Sequence, residues 1–318
     1  IFIKKLQQSI LEKTQSDSYM ELINELHKLI IKEKKDISEL KKILTQRIEF
    51  YKYNFNLYKL QNVYDFINIL FLCIDNSYQT TDTYIYNVYD DVNITPIPEK
   101  KNHTNNISYY INKLNEKQTG ILEDFYSISV NEYTCSECNF RYYHIKNAFT
   151  FNIDIFENNT VANCIHHSSK NNTPVNGLYC QVCNGESINK SSYIYKNPHE
   201  YLLFDINRII FDTENAIKKN KTNLFINNRI YMKFIDKNNS IKNIKFNNYI
   251  LDLKSIICHY GTVTNGHYFT LNKNMTKFFD LYIDNIKYIV RNQDFYNTEL
   301  FKQTISNVVY QINDIDNP

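Results

Sequence analysis

Two groups of residues in this chain have the types and spacing for chemistry. Cys135-Ser-Glu-Cys138 and Cys180-Gln-Val-Cys183 each carry two thiols on a tight knuckle. Together they offer the four-sulfur donor set that Zn²⁺ accepts as a tetrahedron, with Zn–S about 2.3 Å. A closed four-thiolate site leaves no position for water, so such a metal holds strands together and does not catalyse. Redox dithiols, or a site that has lost its metal, are the alternative readings. Cys164 and His166-His167 lie between the knuckles as possible substitute ligands. The second group is Gly266-His267-Tyr268. A histidine placed directly after a glycine at a strand start has backbone open on one side, and imidazole titrates near neutral pH. A packed core histidine is the competing reading.

These residues need elements to position them. Tyr249–Leu271 holds two apolar strand-like runs joined by a turn, and that turn delivers Gly266-His267-Tyr268. Residues 1 to about 75 read as amphipathic helices, with Ile3, Leu6, Ile10 and Leu11 on one face and Leu22, Ile23, Leu26 and Leu29-Ile30 on another. A capped segment starts at Asp36, and an apolar helix spans Leu60–Leu70. Residues 76–108 read as a long polar loop. Strand patterns follow at Ser127–Tyr133, Phe149–Phe156 and Tyr201–Phe211, then at Leu224–Ile226 paired with Arg229–Ile235, and last at Ile305–Ile312. Residues 157–178 read as a polar stretch and 213–223 as a polar loop. Helices first and strands after predict an α+β fold rather than alternating βαβ units.

Composition excludes several functions. The 36 basic and 34 acidic side chains leave a net charge of +2 over 318 residues, so no basic surface points to nucleic acid. This also argues against a nucleic-acid-binding zinc ribbon. No apolar run approaches the roughly 20 residues of a membrane span, and no signal-peptide pattern opens the chain. Seven cysteines, four of them in the knuckles, fit metal ligation in a reducing, intracellular compartment, cytoplasmic or nuclear. The chain opens at Ile1 and not Met, as expected of a fragment of something longer.

Taken together, these blocks resemble the ubiquitin-specific protease family, papain-like thiol hydrolases shaped as thumb, palm and fingers. Gln61-Asn-Val-Tyr-Asp65-Phe66-Ile67 looks like a degenerate thumb-helix motif QQDAxEFL, with Asp65 in place of Glu. The two knuckles look like the zinc site of the fingers. Pro198 followed by Tyr201-Leu-Leu-Phe-Asp-Ile-Asn-Arg208-Ile209 is similar to PxxLxIxLxRF. Tyr249-Ile-Leu-Asp-Leu, His259-Tyr-Gly261 and Gly266-His267-Tyr268 match YxL…HxG…GHY. Phe278–Ile286 and Val308-Val-Tyr310 stand where WxxF[DN]DxxV and AYxLFY usually stand. The resemblance implies one catalytic domain over 1–318: a helical thumb with its loop at 1–108, fingers at 125–197 and 224–248, and palm at 198–212 and 249–318. It implies a structural Zn²⁺ on Cys135, Cys138, Cys180 and Cys183, ubiquitin or ubiquitinated proteins as partners, and cleavage after the C-terminal glycine of ubiquitin. His267 would be the base, and Gly266, Tyr268 and Asp65 would line the cleft for the ubiquitin tail.

Two positions depart from the pattern. Matching Leu6-Gln7 to the nucleophile box GNTCYMNSxLQ puts its Cys one residue before Ile1, and matching Gln8 puts Ile1 on the Cys position. Either way Lys4 or Lys5 replaces a small polar residue. Cys73 and Cys258 read as core thiols. At the orienting Asp/Asn position the chain has Tyr282, with Asp284, and after it Asp280, as the carboxylates that a small register shift would supply. Losing that carboxylate costs about 10⁴ in rate in the serine-protease analogue. A catalytically inactive scaffold that holds ubiquitin or a complex partner is therefore the alternative function.

Overall fold

The structure is a computed structural model that describes residues 17–31, 36–50, 52, 55–57, 62–78, 92–94, 125, 127–155, 159–168, 173–195, 201–211, 217–235, 246–263, 265–272, 302–303 and 305–314. Its helices are α1 (Asp17–Ile31), α2 (Ser38–Phe50), α3 (Val63–Tyr78) and α4 (Val161–Ser168). Its strands are β1 (Val92–Ile94), β2 (Ser127–Cys135), β3 (Arg141–Ala148), β4 (Thr150–Asp154), β5 (Asn159–Thr160), β6 (Thr173–Val175), β7 (Ile188–Tyr195) and β8 (Tyr201–Asn207). They continue with β9 (Ile209–Phe211), β10 (Ile217–Lys219), β11 (Leu224–Phe225), β12 (Arg229–Ile235), β13 (Phe246–Gly261), β14 (Gly266–Asn272) and β15 (Ile305–Asp314).

The helical part starts where side chains cap it. Asp36 Oδ1 accepts the Ser38 backbone N–H at 2.9 Å, and Asn62 Oδ1 accepts that of Tyr64 at 3.1 Å. The cap at Asn62 starts α3 at Val63, not at Leu60 as the sequence suggested. The helix also runs on to Tyr78, so Cys73 lies inside it. Leu22, Ile23 and Leu26 of α1 meet Ile43, Leu44 and Ile48 of α2 and Cys73 and Ile74 of α3 in one buried cluster. Phe149 joins this cluster from the β3–β4 corner, its ring 5.0 Å from Phe71. The amphipathic helices thus bury their apolar face against one corner of the sheet.

The large sheet runs β1-β3-β2-β7-β12-β13-β15-β8-β4, with β14 on β13 and β6 on β7. Its main core lies on one face, where Leu202, Phe204 and Ile206 alternate along β8 and meet Val308 and Tyr310 of β15 and Leu251 and Leu253 of β13. Register shifts in the β13–β15 ladder, between Leu253 and Ser255 and between Ile257 and Cys258, let Leu253, Ile256 and Cys258 all stay in that core. On the other face Asp205 stands beside Asn307, whose amide donates to it at 2.8 Å.

Three expectations need correction. The polar stretch at 157–178 contains α4, whose Val161, Cys164 and Ile165 are buried in the main core. The polar loop at 213–223 contains β10, paired antiparallel with β9. Leu224-Phe225 does not pair with Arg229–Ile235: β11 runs parallel to β5, while β12 lies between β13 and β7. In each case a short apolar run sits among Asn and Lys residues, so periodicity alone carries little signal.

Candidate active site

The hairpin expected at Tyr249–Leu271 is β13 and β14, joined at residues 262–265. Gly261 pairs with Gly266, Tyr260 with His267, and His259 with Tyr268. Thr262 N–H donates to the Asn265 carbonyl at 2.7 Å. Gly261 has φ +121°, and a Cβ there would lie 2.4 Å from that same carbonyl, so only glycine closes this turn. A Cβ on Gly266 would lie 2.3 Å from His259 Nε2, so the glycine lets the ring pack flat against bare backbone.

Side chains alternate along β14, so Tyr268 and His267 point to opposite faces. His259 and Tyr268 stack with ring centroids 4.4 Å apart. The Tyr268 hydroxyl takes a hydrogen bond from the Val63 backbone N–H, which ties β14 to the N-terminus of α3. Burial pushes the Tyr268 phenol up, the Val63 amide opposes this, and Asp205 and Asp65 add to the rise. Asp65 sits exposed in the first turn of α3. A cavity of about 230 Å³ lies at this junction, lined among others by Asn62, Asp205, Arg208, Lys219, His259 and Tyr268. His267 is half-buried on the opposite side of the strand, with Tyr260 as its cross-strand neighbour. Asp280, Tyr282, Asp284 and residues 1–16 lie outside the described residues.

The cleft is polar in ways the sequence did not announce. Burial lowers His259 to about 4, with Lys219 and His267 adding to the effect, so the His259 ring stays neutral at neutral pH. Its Nε2 has no hydrogen-bond partner among the described residues. Burial raises the Asp205 carboxyl to about 6; the Asn307 amide opposes the shift and Asp65 adds to it. A carboxyl raised above its unfolded value of about 3.9 favours the fold most at low pH, and that contribution is lost as pH rises through about 6. Asp205→Asn is therefore expected to match the natural protein near pH about 4 and to exceed it above pH about 7 by on the order of 2 kcal/mol. Urea unfolding across that range reads it, and a pH-independent difference would contradict it. A lone acid inside the apolar run Tyr201–Ile206 was the available sequence signal. Lys219, in a Lys/Asn-rich stretch, had none.

At the far end of the sheet the two knuckles meet. Cys135 and Cys183 sulfurs are 3.6 Å apart, Cys138 and Cys180 sulfurs 3.5 Å, and all four ligand atoms lie within 4.8 Å of one another. The S–S edge of a tetrahedral ZnS₄ unit is about 3.8 Å, so the four thiols are spaced to hold a metal ion. The knuckles share one backbone pattern. Asn139 N–H donates to Cys135 O at 3.0 Å and Asn184 N–H to Cys180 O at 2.9 Å. Asn139 (φ 58°) and Asn184 (φ 57°) both take the left-handed conformation, so the second turn uses Asn184 and not Gly185. Ile188, Tyr133, Phe140 and Leu178 shield Cys135 and Cys180, while Cys138 and Cys183 face solvent. Cys164 is no substitute ligand, because it is fully buried in the main core.

A sequence model described as ubiquitin carboxyl-terminal hydrolase matches residues 1–303. The chain belongs to the ubiquitin carboxyl-terminal hydrolase family. No curated protein matches it. Among solved structures, the SAGA DUB module of Ubp8, Sgf11, Sus1 and Sgf73 bound to monoubiquitin superposes with TM-score 0.61 at 16% identity, over 98% of this chain and 63% of that one. The same module bound to ubiquitin aldehyde gives 0.62 at 17% identity, over 98% and 64%. The yeast module with an Sgf73 mutant gives 0.63 at 16%, over 98% and 63%. The chain thus spans under two thirds of those chains, and at such identity the likeness shows the shared α+β fold. It carries a four-cysteine cluster able to hold a metal ion. Among its described residues, no helix is long and apolar enough to cross a membrane.

Proposed function

We propose that this domain binds ubiquitin with the C-terminal tail laid between the N-terminus of α3 and strand β14, and that it hydrolyses the bond after the terminal glycine. The observation that carries this reading is the meeting of Val63 and Tyr268 across the cleft, with His267 as the next residue of the same strand. A cysteine thiolate attacks the glycine carbonyl carbon, and His267 holds the proton taken from the thiol. The tetrahedral intermediate collapses, the C–N bond breaks, and His267 hands its proton to the leaving lysine amine. Water then releases the acyl group from sulfur. Asp284 would orient the ring, and Asp65, Gly266 and Tyr268 would line the tail. Zn²⁺ on Cys135, Cys138, Cys180 and Cys183 would pin the β-projection without taking part in the chemistry.

A scaffold that holds ubiquitin without cleaving it is the second reading, and the cysteines bear on it. Cys73, Cys164 and Cys258 are 0% exposed, and the other four cysteines sit in the metal-capable cluster. The hydrolytic reading therefore takes none of these seven as its nucleophile. Exposing the full-length protein to ubiquitin carrying a C-terminal thiol-reactive group separates the two readings. A covalent adduct at one cysteine other than these seven supports hydrolysis. Tight binding without an adduct supports the scaffold, and no binding at all removes both.

A further inference from the structure

We propose that Lys219 is a positioning residue for His267. This rests on the reading of His267 as the base. The ammonium of Lys219 donates to the His259 carbonyl at 2.5 Å and reaches the Gly261 carbonyl at 3.4 Å. Those carbonyls flank Tyr260, the residue paired across the ladder with His267. Lys219 therefore grips β13 on both sides of the position that sets where His267 stands, just before the Gly261 turn. Its own backbone is anchored in turn. Arg208, buried, donates to the carbonyls of Asn220 and Thr222 at 2.9 Å each, of Ile305 at 2.6 Å and of Lys302 at 2.7 Å. Asn220 N–H returns a bond to Arg208 O at 2.6 Å. A continuous polar chain thus runs from the edge of β15 through Arg208 and Lys219 to the β13–β14 turn.

Among the described residues no carboxylate lies within ion-pair distance of Lys219, and the partners of its ammonium there are the two carbonyls. Burial, with Arg208 and Lys221 nearby, brings the ammonium down to about 8, and Cys258 acts the other way. A half-buried lysine without a counter-ion costs desolvation that a neutral residue would not. What it supplies in return is a charge-assisted grip on two carbonyls.

The test compares Lys219→Met and Lys219→Arg in the full-length protein, using a ubiquitin C-terminal amide substrate and an NMR titration of the His267 imidazole. Misplacing a catalytic group by about 1 Å costs on the order of 10²-fold. The Met variant should therefore lose about 10- to 100-fold in kcat, keep KM within about 2-fold, and shift the His267 ring resonances. The Arg variant, which keeps charge and donors, should recover most of each effect. If the Met variant does not fold, Lys219→Gln is read against Arg in the same assays. Native kcat and unmoved His267 resonances in the Met or Gln variant would overturn the proposal, and so would equal losses with Arg. If the natural protein itself turns over no substrate, the hydrolytic reading fails, while the His267 resonances still decide the role of Lys219.

Discussion

Replacing Cys180 by serine, or stripping metal with a chelator, is expected to unfold the strands round the knuckles while the β8–β13–β15 part of the sheet stays folded. Structural zinc contributes about 10 kcal/mol or more in small finger domains, which rivals the total stability of a whole domain. The buried apolar cluster round the knuckles is small: Cys135, Cys180 and Ile188, with Tyr133, Phe140 and Leu178 packed round them, while Ile128, Val130 and Ile194 are buried further along β2 and β7. Strands β8, β13 and β15 keep a separate core of Leu202, Phe204, Leu251, Leu253, Val308 and Tyr310, which shares no residue with the knuckles. Hydrogen exchange should then show lost protection across 127–148 and 173–195 and retained protection in β13–β15. The natural protein should carry one equivalent of zinc. Unchanged exchange in the Cys180→Ser protein, or a zinc-free protein with normal protection, would remove the metal from the fold's energetics.

His267→Ala is expected to lower kcat on a ubiquitin C-terminal amide by about 10²- to 10⁴-fold while leaving ubiquitin affinity within about 2-fold. The imidazole sits on the face of β14 away from Tyr268, so its removal leaves the wall of Asp65, Val63 and Tyr268 that we propose faces the tail intact. His259→Ala makes the contrast. Its ring stacks on Tyr268 and fills the space over Gly266, so its loss should weaken binding and stability first. Equal effects of the two substitutions on kcat alone would mean that His267 has no special role.

Much of the fold was legible because two local rules agreed with the global outcome. Two apolar runs around a glycine-bounded turn had to form a hairpin, and β13–β14 is that hairpin. The paired knuckles had to meet if four thiols were to share one ion, and their sulfurs do lie together. What escaped was tertiary in origin. The Ile217–Lys219 strand exists only by pairing with the exposed residues 209–211, and α4 only by sinking Val161, Cys164 and Ile165 into a core built by distant strands. Lys219 gains its place from two backbone carbonyls 40 and 42 residues away, a contact that no side-chain pattern encodes. Asp205 was visible as an acid in an apolar strand, but its neighbours Asn307 and Asp65 come from opposite ends of the chain.

The most direct measurement is equilibrium binding of the full-length protein to ubiquitin and to ubiquitin lacking its C-terminal tail, each repeated with Tyr268→Ala. If the tail lies between α3 and β14, the truncated ubiquitin should bind at least about 10-fold more weakly, a loss of about 1.4 kcal/mol or more. Tyr268→Ala should weaken intact ubiquitin and make little further difference to the truncated form. Equal affinity for both ubiquitins, or a Tyr268→Ala loss that ignores the tail, would place ubiquitin elsewhere and contradict the cleft as its site.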